Sequence, residues 1–267
     1  MNNHLFSTFA PTIRSLGRDE LLAEIEQPKK LLIASDSYRG RSLEIAYAAF
    51  DYINPNADVV IVGLTPGRQQ MRNALVETQR CLKDGYDEAD ALRSAKLYAS
   101  FSGPMRTNLV AMLDCVGLGQ ALGLSSTASL WARDASRVHF TSALRYPVFV
   151  DGKNYSGNPS MISTPLLRSQ LMQWFATEMT MFPKAVFVPL GPKVANAIEE
   201  VAKHLRLPTD RILSGLPHPS GANAERIAFF LGRKMREAVS SKVEPERLLA
   251  ARASLNKKIA DFCGAPK

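Results

Sequence analysis

Cysteine and histidine are scarce in this chain. Cys81, Cys115 and Cys263 stand far apart with no CxxC pair, and His4, His139, His204 and His218 share no metal-ligand spacing with them. That pattern excludes a disulfide framework and a zinc motif of ordinary spacing. Three thiols also fall short of the four that hold an iron–sulfur cluster. We therefore expect reduced thiols, two of them in or near the core, with no metal, no iron–sulfur cluster and no cofactor. Long apolar runs are missing too. No segment reaches the roughly 18 residues of a membrane span, and MNNHLFSTFAPTIR lacks the apolar core of a signal peptide. The expectation is a soluble, cytoplasmic monomer that touches no membrane. No repeat, no low-complexity tract and no phosphate-loop GK[ST] is found.

What is present is charge of one sign in excess. The 267 residues carry a net charge of +8 and a pI near 9.5, at an otherwise ordinary 46% hydrophobic and 22% charged composition. The excess fits an anionic partner, nucleic acid first, although solubility alone also uses such charge. The length suits one large α/β domain or one domain with additions. We expect residues 1–58 to be an N-terminal segment packed on the core, 59–240 an α/β domain and 241–267 a C-terminal helical extension.

Short apolar runs alternate with helical patterns. DVVIVG, ending at Gly63, reads as a strand buried on both faces and leads to a helix from about Gln70 to Lys83. RVHFTSAL (about Val138 to Leu144) and KAVFVPLG (ending at Gly191) read as further strands. Pro192 sits like the first-turn proline of the helix PKVANAIEEVAKHL. RILSGLPHPSGAN gives a short strand and a loop, AERIAFFLGRKMREAV an amphipathic helix, and PERLLAARASLNKKIADF a peripheral one. KKLLIASDS fits an early strand, and SLEIAYAAFDYI leans to an extended segment. Such alternation predicts a mostly parallel sheet with helices on its faces, and ligands in such folds bind outside the carboxyl ends of the strands. The loops GLTPG, TSALRYP, LGPK and LPHPSGAN all stand at those ends.

Each loop has a plain and a chemical reading. GLTPG can cradle an anion or a polar base edge on its backbone N–H groups, or simply connect a strand to a helix. Phe101 can stack a base or join the core. Arg145, Tyr146, Lys153 and Tyr155 mix cations with aromatics as nucleic-acid grooves do, or line a solvated loop. In LPHPSGAN, prolines on both sides confine His218. Ser220 and Asn223 are placed to cap the following helix. A neutral histidine held this way can donate a hydrogen bond to developing negative charge.

Taken in order, Gly63-Leu64-Thr65-Pro66-Gly67, Phe101-Ser102-Gly103, Thr141-Ser142 and His218-Pro219-Ser220 resemble the motifs of the uracil-DNA glycosylase superfamily, over about Val59 to Met235. The resemblance implies a three-layer α/β/α sandwich around about four mostly parallel strands. It also implies a DNA base flipped into a pocket. Phe101 would stack the base, with Gly63, Leu64 and Ser142 around it, and His218 would face the leaving base. Ser220, Gly221, Asn223 and Arg226 would grip the DNA backbone, joined by Pro66, Gly67, Arg68, Arg145 and Lys193. Thr65 stands where several branches carry Asp or Asn, Leu64 where the iron–sulfur branch carries Glu, and Ser142 where several carry Asn. With Thr65 a poor base, Gln70 is the residue placed to position water. The set TPG, SALRYPVF, KNYSG and PHPSGAN is similar to a divergent bacterial branch. Part of the wider group removes hypermodified bases in antiviral defence. The expected activity is a monofunctional DNA glycosylase acting on a non-standard or modified base, glucosylated hydroxymethylcytosine among them. The alternatives are a conventional uracil excision enzyme of base-excision repair, a non-catalytic nucleic-acid binder and, last, a nucleotide hydrolase.

Overall fold

The structure, a computed structural model, describes residues 4–100 and 103–264. Helices α1 (His4–Ser15) and α2 (Arg18–Glu26) precede strands β1 (Leu32–Tyr38), β2 (Arg41–Ala46) and β3 (Val59–Gly63). Helices α3 (Arg68–Lys83), α4 (Glu88–Ala99), α5 (Gly103–Cys115) and α6 (Leu118–Ala121) follow, then strands β4 (Val138–Ser142), β5 (Val148–Val150) and β6 (Lys153–Asn154). After helices α7 (Pro165–Gln170) and α8 (Thr177–Met179) come β7 (Val186–Pro189), α9 (Pro192–His204), α10 (Ala224–Phe230) and α11 (Pro245–Gly264). The expected α/β class is the one found. The chain forms two compact units. The first comprises Met1–Ile53, Gly63–Ser100 and Phe140–Met181, the second Asn54–Val62, Phe101–His139 and Phe182–Lys267.

In the first unit an antiparallel sheet runs in the order β1-β2-β5-β6. Leu43 pairs with Val150 and Ile45 with Val148, which buries the apolar side of β2 and leaves Ser42 out. Helices α3 and α4 form a hairpin, as the apolar spacing Met71, Ala74, Leu75, Thr78 and Cys81 on α3 dictates. Gln79 Nε2 donates to Ile13 O and Leu16 O at 2.8 and 2.9 Å, which ties the end of α1 to α3. The buried Glu24 carboxylate accepts from Lys29 N and Leu31 N at 2.9 and 3.0 Å and so turns the chain into β1.

A three-stranded sheet has the order β4-β3-β7, and in it β3 and β7 pair in parallel, Val59 to Val186 and Val62 to Pro189. β3 is buried on both faces, as its β-branched run requires. The anticipated fourth strand is reduced to one parallel bridge, Phe187 to Ile212, because Ser214 and Gly215 turn the chain away at once. Pro192 does open α9, whose Val194, Ala197, Ile198 and Val201 make one buried face. The helix expected over 224–239 is shorter. It stops at Phe230, and Gly232, at φ 72°, leads the chain out in a conformation that L side chains resist. Arg252 of α11 reaches back to Phe230 O at 3.1 Å. No helix among the described residues is long and apolar enough to cross a membrane, and no cluster of His, Cys, Asp and Glu among them could hold a metal ion. Cys81 is buried, Cys115 half-buried, and both are free thiols.

Candidate active-site loops

GLTPG is sewn to the segment after β4, within the first unit. Gly63 O accepts from Ala143 N at 2.9 Å and Leu64 O from Leu144 N at 3.0 Å. Thr65 Oγ1 donates to Tyr146 O at 2.8 Å and accepts from Val148 N at 3.2 Å. The hydroxyl expected near the chemistry therefore has both its donor and an acceptor site engaged by backbone. Pro66 is buried, and Gly67 N donates to Gln70 Oε1 at 3.1 Å. Gln70 Nε2 in turn donates to Ala99 O at 3.4 Å, so the amide expected to position water instead closes the first turn of α3 and holds the end of α4.

Arg68 is likewise occupied. Its guanidinium donates to Ile25 O and Glu26 O, and to Gly152 O at 2.7 Å, while lying 4.3 Å from the centre of the Phe149 ring. Its backbone N–H donates to Asn154 Oδ1 at 3.0 Å. The expected phosphate contact is a clamp between the end of α2, the β5–β6 turn and the start of α3.

Ser142 is half-buried at the end of β4. Beside it the buried Thr141 hydroxyl has no hydrogen-bond partner among the described residues. Arg145, expected on a DNA-facing loop, is buried. It pairs with Glu178 at 2.6 Å, and its charge lies 5.3 Å from the centre of the Trp174 ring. A guanidinium fixed in this way is not offered to phosphate. Tyr146 donates to Asp51 Oδ1 at 2.6 Å, and Tyr47 to Asp51 Oδ2 at 2.8 Å. Burial raises the Asp51 carboxyl above its usual range against the pull of both hydroxyls, and desolvation lowers Lys96 to about 8. Lys96 Nζ donates to Phe50 O and Tyr52 O at 3.1 and 2.6 Å. Tyr155 is buried with its hydroxyl on Pro159 O at 2.5 Å, so of the expected cation–aromatic mix Lys153 alone is exposed. This charged core was not foreseen. Tyr47 and Asp51 are four residues apart, but the other hydrogen-bonded partners lie 33 to 95 residues apart along the chain, where no local spacing marks them.

The second unit builds the histidine loop. Pro217 and Pro219 are buried and His218 is half-buried between them. Burial lowers the imidazole pKa below 6.5, and Nδ1 accepts from Ser220 N at 3.3 Å. A neutral ring that accepts at Nδ1 carries its proton on Nε2, where it can be donated. Two neighbours fix the loop. Asn108 Nδ2 of α5 donates to Pro219 O at 3.0 Å. Gly191, at φ 94°, lies so close that an added Cβ would stand 3.5 Å from His218 Cβ. Gly191 followed by Pro192 is readable in sequence as a helix start. That it also faces His218 is not. Lys193 is exposed on the first turn of α9.

Ser220 and Asn223 cap no helix with their side chains. Asn223 Nδ2 donates to Ser220 Oγ at 3.3 Å, and Arg226 donates to Asn223 Oδ1 at 3.1 Å and to Lys242 O at 2.6 Å. The loop residues brace one another, with Gly221 exposed at the tip. Phe101 lies outside the described residues.

Comparison with known proteins adds an independent finding. Residues 50–241 match the model of the family described as the Uracil DNA glycosylase superfamily. The chain is also similar to the "Uncharacterized protein YoxB" of Bacillus subtilis (strain 168), 37% identical over 186 residues, which is 69% of this chain and 73% of that protein. No solved structure matches.

Proposed function

Because the chain belongs to the uracil DNA glycosylase superfamily, we propose that it is a monofunctional DNA glycosylase that removes a non-standard or modified base and leaves an abasic site. The C1′–N bond breaks with its electron pair on the base, and the sugar becomes an oxocarbenium ion beside the DNA phosphates. Water adds at C1′ and releases a proton, and the departing base ends by taking one up. His218 holds the base anion through its Nε2–H. The observation that carries this reading is the state of that ring: neutral through burial, with Nδ1 already satisfied by Ser220 N. A positioned neutral donor needs no reorganisation as charge develops, and losing one typically costs roughly 10²–10³ in rate.

Thr141 and Ser142 are assigned the edge of the base. An unpartnered buried hydroxyl costs about 1–3 kcal/mol, which a bound base edge would offset. Phe101 is assigned the stack, and Lys193, Ser220 and Gly221 the DNA backbone. Ser142, shorter than an amide residue, suits a base with an added group. A hypermodified phage base such as glucosylated hydroxymethylcytosine, removed in antiviral defence, is the substrate we favour over plain uracil.

A second reading, a binder that does no chemistry, is favoured by one observation. The Thr65 hydroxyl and the Gln70 amide are both engaged internally, so neither is left to activate water. The test is incubation with uracil-containing DNA and with phage DNA carrying the glucosylated base. Released base is identified by mass spectrometry and abasic sites by alkaline cleavage. Release of the modified base, abolished in His218→Ala, is expected. Tight DNA binding with no base released from any substrate would replace the enzyme by the binder.

A further inference from the structure

Helix α11 lies wholly beyond residues 50–241, the part of the chain that matches the family model. It is nevertheless fastened to the chain on both sides of the histidine loop. Helix and loop belong to the same compact unit, the second. Ala251, Leu255, Lys258 and Ile259 recur at the spacing of one helix face, and Leu255 and Ile259 are buried.

The lead-in to the loop is held from two sides. Towards β7, Phe187 N donates to Arg211 O and Leu213 N to Phe187 O, both at 2.8 Å. Ile212 O is not used by β7 and accepts from Lys258 Nζ at 2.8 Å, and the same ammonium reaches Thr209 O at 3.4 Å. Two turns earlier on α11, Ala251 meets Gly215. Gly215 has φ 121°, and a Cβ added there would stand 2.9 Å from Ala251 Cβ, closer than packed carbons come. Glycine on one side and alanine on the other let the turn and the helix touch. Beyond the loop, Arg252 donates to Phe230 O at 3.1 Å, at the end of α10. Residues 251 and 258 thus meet 215 and 212, so α11 runs antiparallel to the lead-in and is bound along it.

We infer that Lys258 and Ala251 of α11 are positioning residues for His218: they hold the lead-in so that the imidazole keeps its place in the loop and its Nε2–H stays aimed at the leaving base. The inference rests on the reading of His218 as the donor to that base. Gly215 stands three residues before His218, with buried Leu216 and the stiff Pro217 between them. A displacement at Gly215 is therefore passed on to the ring rather than absorbed. Misplacement by about 1 Å can cost roughly 10²-fold in rate, so this brace has catalytic reach while acting only through the loop.

The test is single-turnover base release from saturating uracil-containing and modified phage DNA, with DNA affinity and an NMR titration of the His218 ring measured on the same variants. Lys258→Met keeps the apolar stem and removes the donor. It should slow release by roughly 10- to 100-fold with affinity kept. It should also bring the ring's titration up towards 6.5, since burial is what lowers it. Lys258→Arg, which retains a donor, should recover both. Ala251→Val, which crowds Gly215 and leaves Lys258 unaltered, should reproduce both changes, and it decides the matter if Lys258→Met does not fold. A purely structural role predicts a lower melting temperature with release and titration unmoved, and that result overturns the inference. So does a slowed release that Lys258→Arg fails to recover. If the unaltered protein releases no base from any DNA, the functional reading fails. The ring titration then still judges the brace: a ring unmoved in Lys258→Met refutes it.

Discussion

Gly191→Ala separates backbone strain from crowding at the histidine loop. Gly191 sits at φ 94° and ψ 163°, a region essentially restricted to glycine, where another residue costs about 1–3 kcal/mol. The new Cβ would stand 3.5 Å from His218 Cβ and 3.9 Å from Cδ2, which is ordinary contact, so crowding adds little. The backbone cannot relax cheaply. Gly191 O accepts the first α9 bond from Ala195 N at 3.1 Å, and Leu190 N donates to Val62 O at 2.9 Å. The expected outcome is a loss of about 1–3 kcal/mol, lowering the melting temperature by roughly 2–4 °C per kcal/mol, with His218 kept in place. Base release by the folded variant at low temperature should stay near the unaltered rate. Gly191→Val, whose methyl groups reach past that contact, should lose release as well. Calorimetry and a base-release assay on the same samples decide it. An alanine variant as stable as the parent would refute the strain argument, and a fully active valine variant would refute the close support of His218.

Thr65→Val should destabilise by about 1–3 kcal/mol in denaturant melts, since it strips the hydroxyl from Tyr146 O and Val148 N, whereas Thr65→Ser should be nearly neutral. A catalytic Thr65 would instead lose activity at unchanged stability. Tyr146→Phe should cost about 1–3 kcal/mol by removing one of the two hydroxyls on the buried Asp51 carboxyl, read the same way. The pH dependence of His218 has a definite sign. Its native pKa is below 6.5, so as pH falls from 6.5 towards that lower value the unfolded chain gains the proton first and stability is lost. Above 6.5 the ring is neutral in both states and contributes nothing. His218→Asn should remove that part of the acid slope in melts taken across the window, and an unchanged slope would contradict it.

What could be read from the sequence follows what is local. The apolar runs of β3, β4 and β7, the proline opening α9 and the spacing of α3 and α11 are short-range patterns, and they appear where expected. The antiparallel β1-β2-β5-β6 sheet was half visible, because its pairing joins segments more than a hundred residues apart. The loop residues stand at strand ends as their order implied, but their hydrogen-bond partners could not be read. Thr65, Arg68 and Gln70 are polar groups in a promising loop, and all three are bound by distant backbone. Arg145 looked like a surface cation because nothing near it in sequence reveals Glu178. The histidine loop was the more legible of the two, since two flanking prolines already confine it.

The most direct test is the rate of base release from modified phage DNA by the unaltered protein and by His218→Ala, with DNA affinity measured in parallel. The expected result is a fall of roughly 10²–10³ in release with affinity largely kept, as loss of one positioned donor implies. Near-full release in His218→Ala would contradict the role given to that ring.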